Sequence, residues 1–290
     1  MRGGVYRKVF LIGGTGFVGT EILKELVENR YKVKVLTHNQ KPSVHSKLIE
    51  IVKGSVSDIE SLISSAKGCD VVIHLVGIIR ENPWKGVTFK RLHMEATKNM
   101  IEAAKENNIK RFIHMSANGA KPRGTRYQTT KYRAEQLVKD SGLTYTIFRP
   151  SIIFGEHDNF INRLARQMRF GIVPYIGDGN YQLQPVSVKT AAEAFVKSIN
   201  NKKAFNKIYH LGGPETYSYK ELLDVAADKT GKRIIKFPIP VWFVKVFATL
   251  FGRVPQFPIT NDQLNMLLQG NVCDFTKVKK DLKLENMSLG

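Results

Sequence analysis

The chain has 290 residues, 42% of them hydrophobic and 24% charged, which is typical of a folded protein with one large unit or a large unit and a smaller one. Lys and Arg total 45 against 25 Asp and Glu, and the formal net charge of +20 indicates a surface that attracts anions. The two cysteines, Cys69 and Cys273, predict neither a disulfide framework nor a metal site, and the sequence has no motif of a nucleic-acid-binding module.

Targeting and membrane-spanning signals are weak in this sequence. Residues 1–8 lack the apolar core that signal peptides carry. The longest apolar stretch, Pro238–Gly252, is too short to cross a membrane and contains Lys245. We therefore expect a cytoplasmic protein. Two interpretations of its basic charge stay open: a solvated surface that accommodates a phosphate-rich cofactor, or attachment to an anionic partner such as the inner face of a membrane.

Strand-like and helix-like segments alternate along the first 155 residues. Short apolar runs predict strands, and apolar residues at helical spacing predict helices. Such alternation predicts an α/β protein with a doubly wound parallel sheet of the Rossmann type. The predicted strands are Val9–Ile12, Lys32–Thr37, Leu48–Val52, Asp70–Val76, Arg111–Ser116 and Thr144–Phe148, and the predicted helices are Phe17–Asn29, Ile59–Ala66, Val87–Asn107 and Tyr127–Ser141.

Helices dominate the pattern after Gly155, and prolines separate them. We therefore divide the chain into a dinucleotide-binding unit, residues 1–155, and a smaller, mainly helical substrate or partner region, residues 156–290, interleaved with the first and lying over the carboxyl ends of the strands. The predicted helices of this region are Asn159–Arg169, Val188–Ile199, Ser218–Thr230, Val241–Leu250 and Thr260–Leu268, with short strands at Lys207–Leu211 and Arg233–Phe237.

A glycine-rich turn follows the first strand and opens the first helix. In this position Gly-x-x-Gly-x-x-Gly is a strong signal for a dinucleotide: the glycines permit a tight turn and close approach of the backbone, and the helix N-terminus attracts the pyrophosphate. The candidate cofactor-binding residues of the turn are Gly13, Thr15, Gly16, Phe17, Val18 and Gly19.

The end of the second strand predicts which dinucleotide binds. NAD-binding versions place Asp or Glu there to hold the ribose 2′-hydroxyl, whereas this chain has His38, Asn39 and Lys41. A basic residue would attract a 2′-phosphate, so we favour NADP(H) over NAD(H), with a solvated Lys41 as the alternative. Asp58 lies where the adenine edge is expected and is equally suited to cap the next helix. Val76 and Gly77 end the fourth strand beneath the cofactor.

The chain resembles the extended, atypical short-chain dehydrogenases/reductases of the epimerase/dehydratase superfamily. The residues that carry this resemblance are the turn Gly13–Gly19, the pair Tyr127-x-x-x-Lys131, and Arg149–Gly155. Within the superfamily it is most similar to bacterial relatives of the NADPH-binding accessory subunit of respiratory complex I. The sequences of His74–Glu81 and of His210–Glu215 are typical of these relatives. The resemblance covers about the whole chain and implies the fold and the cofactor rather than a substrate.

The resemblance implies a catalytic pair, Tyr127 as general acid/base and Lys131 as its support. Residues four apart share one face of a helix, and an ammonium group beside a phenol favours the phenolate. Lys131 is also expected to hydrogen-bond the nicotinamide ribose. The family's catalytic Ser or Thr closes the fifth strand, where Ser116 is the candidate. Alternatively, Ser116 is the structural serine that precedes that place, and Ala117 occupies it.

Other positions depart from the family pattern or extend the candidate site. If Ala117 holds the catalytic place, Asn118 would have to supply the missing donor. His93 replaces the relay asparagine of the family, and a histidine satisfied within the protein is the commoner arrangement. The segment with Pro150, Ile152 and Ile153 is expected to pass under the nicotinamide. Beyond it, His157, Asp158, Arg163, Arg166 and Arg169 predict either an anion site or, as the favoured alternative, a solvated basic face.

The segment Pro238–Phe251 is dense in large apolar side chains. We favour a core helix of the smaller region, with a lid over a hydrophobic substrate or a patch that docks on a membrane or partner as alternatives.

Three functions are therefore carried forward. The first is an NADP(H)-dependent oxidoreductase for a hydrophobic carbonyl or quinone-like substrate. The second is a non-catalytic cofactor-binding protein, structural or redox-sensing, that docks on a respiratory or membrane assembly. The third is a nucleotide-sugar epimerase or dehydratase, which Ala117 disfavours because it removes a hydroxyl donor.

Overall fold

The structure is a computed structural model that describes residues 6–38, 40–156, 168, 171–252, 254 and 257–285. Its strands are β1 (Lys8–Ile12), β2 (Lys32–Thr37), β3 (Ile49–Lys53), β4 (Val71–His74), β5 (Arg111–Met115), β6 (Thr144–Pro150), β7 (Ile153–Phe154), β8 (Ile172–Ile176), β9 (Gln182–Leu183), β10 (Val186–Ser187), β11 (Lys207–Leu211), β12 (Tyr217–Ser218) and β13 (Ile235–Ile239). Its α-helices are α1 (Phe17–Glu28), α2 (Ile59–Ala66), α3 (Ala96–Glu106), α4 (Arg126–Lys139), α5 (Val188–Ser198), α6 (Tyr219–Thr230), α7 (Val241–Phe251), α8 (Asn261–Leu268) and α9 (Thr276–Leu282).

Seven strands form one parallel sheet in the order β11-β6-β5-β4-β1-β2-β3. Strand β1 pairs with both β2 and β4, so the winding direction reverses beside it. The apolar run Val9–Ile12 is buried on both faces, as a central parallel strand requires. The predicted α/β class and the doubly wound Rossmann sheet are thereby confirmed, and the crevice at the reversal is where such sheets bind ligands.

Helices cover both faces of the sheet and enclose two apolar cores. On one face, α1 and α5 pack against β1 and β6 around residues such as Leu23 and Phe195. On the other, α2, α3 and α4 cover a second core that includes Phe10, Met100 and Phe112. Each helix therefore buries one apolar stripe against the sheet, which makes a three-layer arrangement.

Part of the second half of the chain completes the nucleotide-binding unit. Strand β11 is the seventh strand of the sheet, and α5 packs on α1. The buried Arg111 of β5 connects α5 to the sheet, because its guanidinium donates to the carbonyls of Ser198 (2.8 Å) and Ile199 (3.2 Å) at the end of α5. Burial lowers the Arg111 pKa to about 10. Helix α9 also packs on α5 and β11, and the other elements of this half build a smaller unit around α6 and the parallel pair β8 and β13.

Two predicted helices differ from the structure. The predicted helix Val87–Asn107 begins later, with a wide π-helical turn at Lys90–Glu95 that precedes α3. The predicted core helix Val241–Leu250 is helical but exposed: Ala248 is its one buried residue. It lies at the surface because it packs mainly against α8 and not within the sheet layers. The predicted helix Asn159–Arg169 lies almost wholly outside the described residues.

Candidate functional site

The glycine turn lies between β1 and α1 at the reversal of the sheet. Gly13 has a φ of +86°, and a Cβ on Gly19 would lie 2.0 Å from the Gly13 carbonyl oxygen. Both positions therefore need glycine. Gly16 caps α1 without any side-chain hydrogen bond, and the first turn of α1 contains no acidic residue. The partial positive charge of this helix end is thus left for an anionic ligand, which is the fit that a pyrophosphate requires.

The flanking turn residues are placed around the same helix end. Thr15 precedes the cap, and Phe17 and Val18 begin α1. Space behind the turn is limited, because a Cβ on Gly155 would lie 3.2 Å from the Phe17 ring. The segment after β6 therefore passes close to the turn. Pro150 ends β6, Ile153 begins β7 and Ile152 lies between them, and the contact of these three residues with the nicotinamide stays a prediction.

The end of β2 is basic. His38 and Lys41 are exposed, while Asn39 lies outside the described residues. No Asp or Glu occurs between Thr37 and Ile49. Asp58 has a structural partner: its carboxylate accepts a hydrogen bond from the Ser61 amide (3.1 Å) and caps α2. The helix cap is therefore the observed role of Asp58, and its contact with adenine stays a prediction.

Tyr127 and Lys131 lie one turn apart at the start of α4. The helix is fixed there by a capping box, in which Thr125 and Gln128 bond to each other's backbone amides. The Tyr127 ring packs edge-on against Phe89, with centroids 5.7 Å apart. Burial raises the Tyr127 pKa to about 12, the opposite of the shift toward the phenolate that was expected from Lys131, so the phenol is protonated and suited to donate.

The Lys131 side chain reaches from α4 to the carboxyl ends of the strands. Its ammonium donates to the Met115 carbonyl (3.1 Å) at the end of β5. Burial lowers the Lys131 pKa to about 8, and the carboxylate of Glu135 partly opposes this shift. Tyr127 and Lys131 therefore supply a phenol and a buried cation on one helix face, and Lys131 lies beside Gly77. Val76 and Gly77 were predicted to end the fourth strand, but β4 ends at His74 and both residues lie in the loop after it.

Ser116 is engaged with a buried ion pair. Its hydroxyl donates to Glu135, and the Arg149 guanidinium donates to the same carboxylate at 2.8 and 2.5 Å. Glu135 is fully buried and Ser116 nearly so. This arrangement ties the ends of β5 and β6 to α4, as expected of a structural serine. The catalytic role of Ser116 stays a prediction, and Ala117, next to it, has no hydroxyl.

His93 has partners on both ring nitrogens. His93 Nδ1 lies 2.9 Å from the Thr130 hydroxyl oxygen. His93 Nε2 lies 3.1 Å from the Ile78 amide nitrogen and 3.0 Å from the Ile78 carbonyl oxygen. Burial lowers the His93 pKa to about 2, with a further contribution from the Lys131 charge. His93 is thus a neutral tie between the loop after β4 and α4, the satisfied histidine that sequence analysis offered as the commoner arrangement.

Asn118 belongs to a network that sequence analysis did not identify. Its Nδ2 donates to Asn271 Oδ1 (2.6 Å), and its Oδ1 lies 3.0 Å from His210 Nδ1. Gln184 joins the network, because its backbone amide donates to the Asn271 carbonyl (3.0 Å). These contacts fasten the segment before α9 to the carboxyl ends of β5 and β11. Gly212, after His210, was a sequence signal for close packing here, because a Cβ on it would lie 2.7 Å from the Gln184 side chain. No sequence pattern pointed to the distant Asn271.

Two buried histidines lie near Lys131. His74 and His114 are neighbours in register on β4 and β5, with ring centroids 5.3 Å apart. Burial lowers the His74 pKa to about 3 and moves the His114 pKa in the same direction, so both rings are neutral. Within the described residues, no group of three or more His, Cys, Asp or Glu side chains could hold a metal ion. The described part of the chain also has no helix long and apolar enough to cross a membrane.

Several candidate residues of the substrate side follow β7 in the chain. His157, Asp158, Arg163, Arg166 and Arg169 lie outside the described residues. The structure therefore brings together the glycine turn, Gly77, Tyr127 and Lys131, and leaves the predicted anion site untested.

Comparison with known proteins agrees with this geometry. The profile of a family described as NAD(P)H-binding matches residues 13–169, more than half of the chain. NADH dehydrogenase (ubiquinone) 1 alpha subcomplex subunit 9, mitochondrial, of Arabidopsis thaliana is 28% identical over 305 aligned positions, covering 99% of this chain and 74% of the relative. The UDP-glucose 4-epimerase of Vibrio cholerae is 26% identical and is covered over 83% of its length, against 85% of this chain.

Solved structures of sugar-nucleotide enzymes share the fold. UDP-glucuronic acid 4-epimerase from Bacillus cereus, in complex with UDP-glucuronic acid and NAD, superposes with a TM-score of 0.76 over 97% of this chain and 95% of the epimerase, at 19% identity. The resemblance to the epimerase/dehydratase-like short-chain dehydrogenases/reductases and to complex I subunits of this type is thereby confirmed.

Proposed function

The chain belongs to the NAD(P)H-binding family, with the epimerase/dehydratase-like short-chain dehydrogenase/reductase fold, and on this premise we propose that it is an NADP(H)-dependent oxidoreductase for a hydrophobic carbonyl or quinone-like substrate. The observation that carries the proposal is the pair Tyr127 and Lys131, one turn apart on α4, with Lys131 beside Gly77 in the loop after β4. A protonated phenol and a buried cation are the groups that carbonyl reduction needs.

The chemistry divides between cofactor and chain. NADPH, when bound, supplies the hydride that reduces the carbonyl carbon. The Tyr127 hydroxyl donates its proton to the oxygen that gains negative charge, and the O–H bond of the phenol breaks as the new O–H bond forms. The Lys131 ammonium stabilises the resulting phenolate. The turn Gly13–Gly19 and the N-terminus of α1 would hold the pyrophosphate.

The preference for NADP(H) is supported by the end of β2, where His38 and Lys41 are exposed and no acidic residue occurs before Ile49. Denaturing extraction and mass spectrometry of the purified protein identify the cofactor it carries, and titration gives the affinity ratio of NADPH to NADH. We expect Lys41→Glu to lower that ratio and Lys105→Glu, an exposed charge change on α3, to leave it unchanged. A wild-type preference for NADH would contradict the NADP(H) assignment.

Turnover is tested with Tyr127→Phe and short-chain carbonyl and quinone substrates of graded hydrophobicity. The phenol-to-phenyl change leaves the ring packed on Phe89 and removes the proton donor. We expect reduction to fall by about two to four orders of magnitude, with NADPH affinity nearly unchanged. Reduction that survives Tyr127→Phe at the wild-type rate would overturn the catalytic assignment.

A second candidate is a non-catalytic cofactor-binding protein that docks on a respiratory or membrane assembly. The engagement of Ser116 with Glu135, and of both ends of the Asn118 amide, favours it, because neither side chain is left to polarise a carbonyl. The complex I subunit of Arabidopsis supports the same candidate. NADPH that is retained through purification and exchanges slowly, without turnover, would favour this function. A nucleotide-sugar epimerase stays the third candidate, supported by the Vibrio relative and disfavoured by Ala117.

A further inference from the structure

Helix α7 presents its apolar side chains to the surface. Trp242 is 67% exposed and Leu250 66%, whereas Ala248, on the opposite side of the helix, is 3% exposed. Residues four apart stack in rows along a helix, so these side chains form two adjacent rows on one side. We call this surface the α7 face; it consists of Trp242, Phe243, Val246, Phe247, Leu250 and Phe251, all exposed.

The rings of the α7 face are held against one another. Phe243 and Phe247 have centroids 4.6 Å apart, and Phe251 continues the row 6.0 Å beyond Phe247. The end of the helix is held as well, because the Arg80 guanidinium donates to the carbonyls of Gly252 (3.0 Å) and Val254 (2.5 Å). The face is therefore fixed in an outward orientation by the body of the protein.

The chain that leads to and includes the α7 face is basic. Residues 229–261 contain six Lys or Arg and no Asp or Glu. Lys245 is exposed on α7 itself, one turn from Trp242, and Lys229, Lys232 and Arg233 are exposed at the end of α6 and after it. The neighbouring strand β13 adds exposed Ile235 and Phe237. An apolar surface next to basic residues complements a partner that has an apolar interior and a negatively charged surface.

We propose that the α7 face docks on an anionic lipid bilayer, with the helix lying in the plane of the headgroups. Trp, Phe and Leu are the residues that enter the boundary of headgroups and acyl chains, and Lys and Arg bind acidic headgroups. A bilayer fits better than a protein, because lysine is depleted from protein interfaces. The 11-residue helix would lie on the membrane rather than cross it. Docking does not require turnover, so it goes beyond the proposed reductase activity, and it names the surface and the lipid class through which the second candidate function would reach a membrane.

The test is sedimentation of the full chain with phosphatidylcholine vesicles, with and without phosphatidylglycerol. We expect binding to the anionic vesicles that weakens as salt is added. Trp242→Ser together with Leu250→Ser should lower the binding at least about tenfold, whereas Ile51→Ser, an exposed apolar residue on the edge strand β3, should not. Lys245→Gln should lower it about fivefold, and Lys105→Gln on α3 should have little effect. Circular dichroism and NADPH retention show that each variant is folded.

Tryptophan fluorescence locates the contact. The chain has two tryptophans, so Trp84→Phe leaves Trp242 as the reporter. We expect a blue shift of Trp242 emission on anionic vesicles and quenching by brominated acyl chains. Absence of binding, equal binding by the double variant, or an unchanged Trp242 spectrum would overturn the proposal. A different result would also overturn it: the wild type is a dimer that does not bind vesicles, and the double variant is a monomer. The α7 face would then bind a second copy of the chain.

Discussion

A Cβ atom on Gly77 would lie 2.6 Å from the Lys131 ammonium nitrogen. The loop after β4 thus leaves space for a buried cation that starts on α4 and donates to the Met115 carbonyl of β5. The position of the ammonium group is therefore set jointly by this glycine and by the end of β5.

Gly77→Ala should displace the Lys131 side chain and leave the fold largely intact, because the clashing atom is the end of a flexible chain. We expect weaker NADPH binding and slower reduction, with little change in melting temperature. Gly68→Ala is the matched control: Gly68 has a φ of +75° and no neighbour near the added Cβ, so this change should cost about 1 kcal/mol of stability and leave NADPH binding unchanged. Titration and thermal unfolding measure both effects, and normal NADPH binding by Gly77→Ala would contradict the prediction.

The stability contributed by Lys131 should depend on pH. Burial lowers its pKa to about 8 in the folded chain from 10.5, so between these values the unfolded chain binds a proton that the folded chain does not. Folding then becomes more favourable as the pH rises through this range, relative to a variant without the group. Denaturant unfolding of wild type and Lys131→Met at several pH values should show the wild type gaining on the variant from pH 8 toward 10.5.

The control for this measurement is Lys105→Met, which removes an exposed lysine of α3. Its stability difference from wild type should stay flat with pH. A Lys131→Met difference that is equally flat would show that burial does not lower the Lys131 pKa.

The Glu135 and Arg149 pair should behave as a buried ion pair. Glu135→Leu leaves the Arg149 charge without its partner and removes the acceptor of Ser116, so we expect a loss of about 3 kcal/mol in the free energy of unfolding. The double variant Glu135→Leu with Arg149→Leu should lose less, since no unpaired charge remains. Urea denaturation of the two single variants and the double variant measures the coupling. Additive losses would contradict a direct pair.

Two variants of Asp58 can distinguish its role as a helix cap from a role in cofactor binding. Asp58→Ala removes the acceptor for the Ser61 amide and should lower stability by about 1 kcal/mol. Asp58→Asn keeps a capping oxygen and should restore most of that loss. If the cap is its whole role, both variants bind NADPH as the wild type does. Weaker NADPH binding by the well-folded Asp58→Asn would instead support the adenine contact.

The fold and the cofactor turn were accessible to sequence analysis because their signals are local. The apolar run Val9–Ile12, the glycines that follow it and the helical spacing after Phe17 lie within one βαβ unit, and each constrains its own backbone. The spacing of Tyr127 and Lys131 likewise fixes a shared helix face without any knowledge of distant residues. The sequence alone therefore determined the doubly wound sheet, the position of the dinucleotide turn and the pairing of phenol and cation.

Only the tertiary structure decided what each polar side chain meets and which helix face remains uncovered. Ser116 reaches Glu135 on another element, and Asn118 meets Asn271, more than 150 residues away in the chain. Helix α7 has the composition of a core helix, yet whether an apolar face is buried depends on whether another layer packs on it. Such contacts arise from the packing of distant segments, and the periodicity of one segment carries no information about its neighbour.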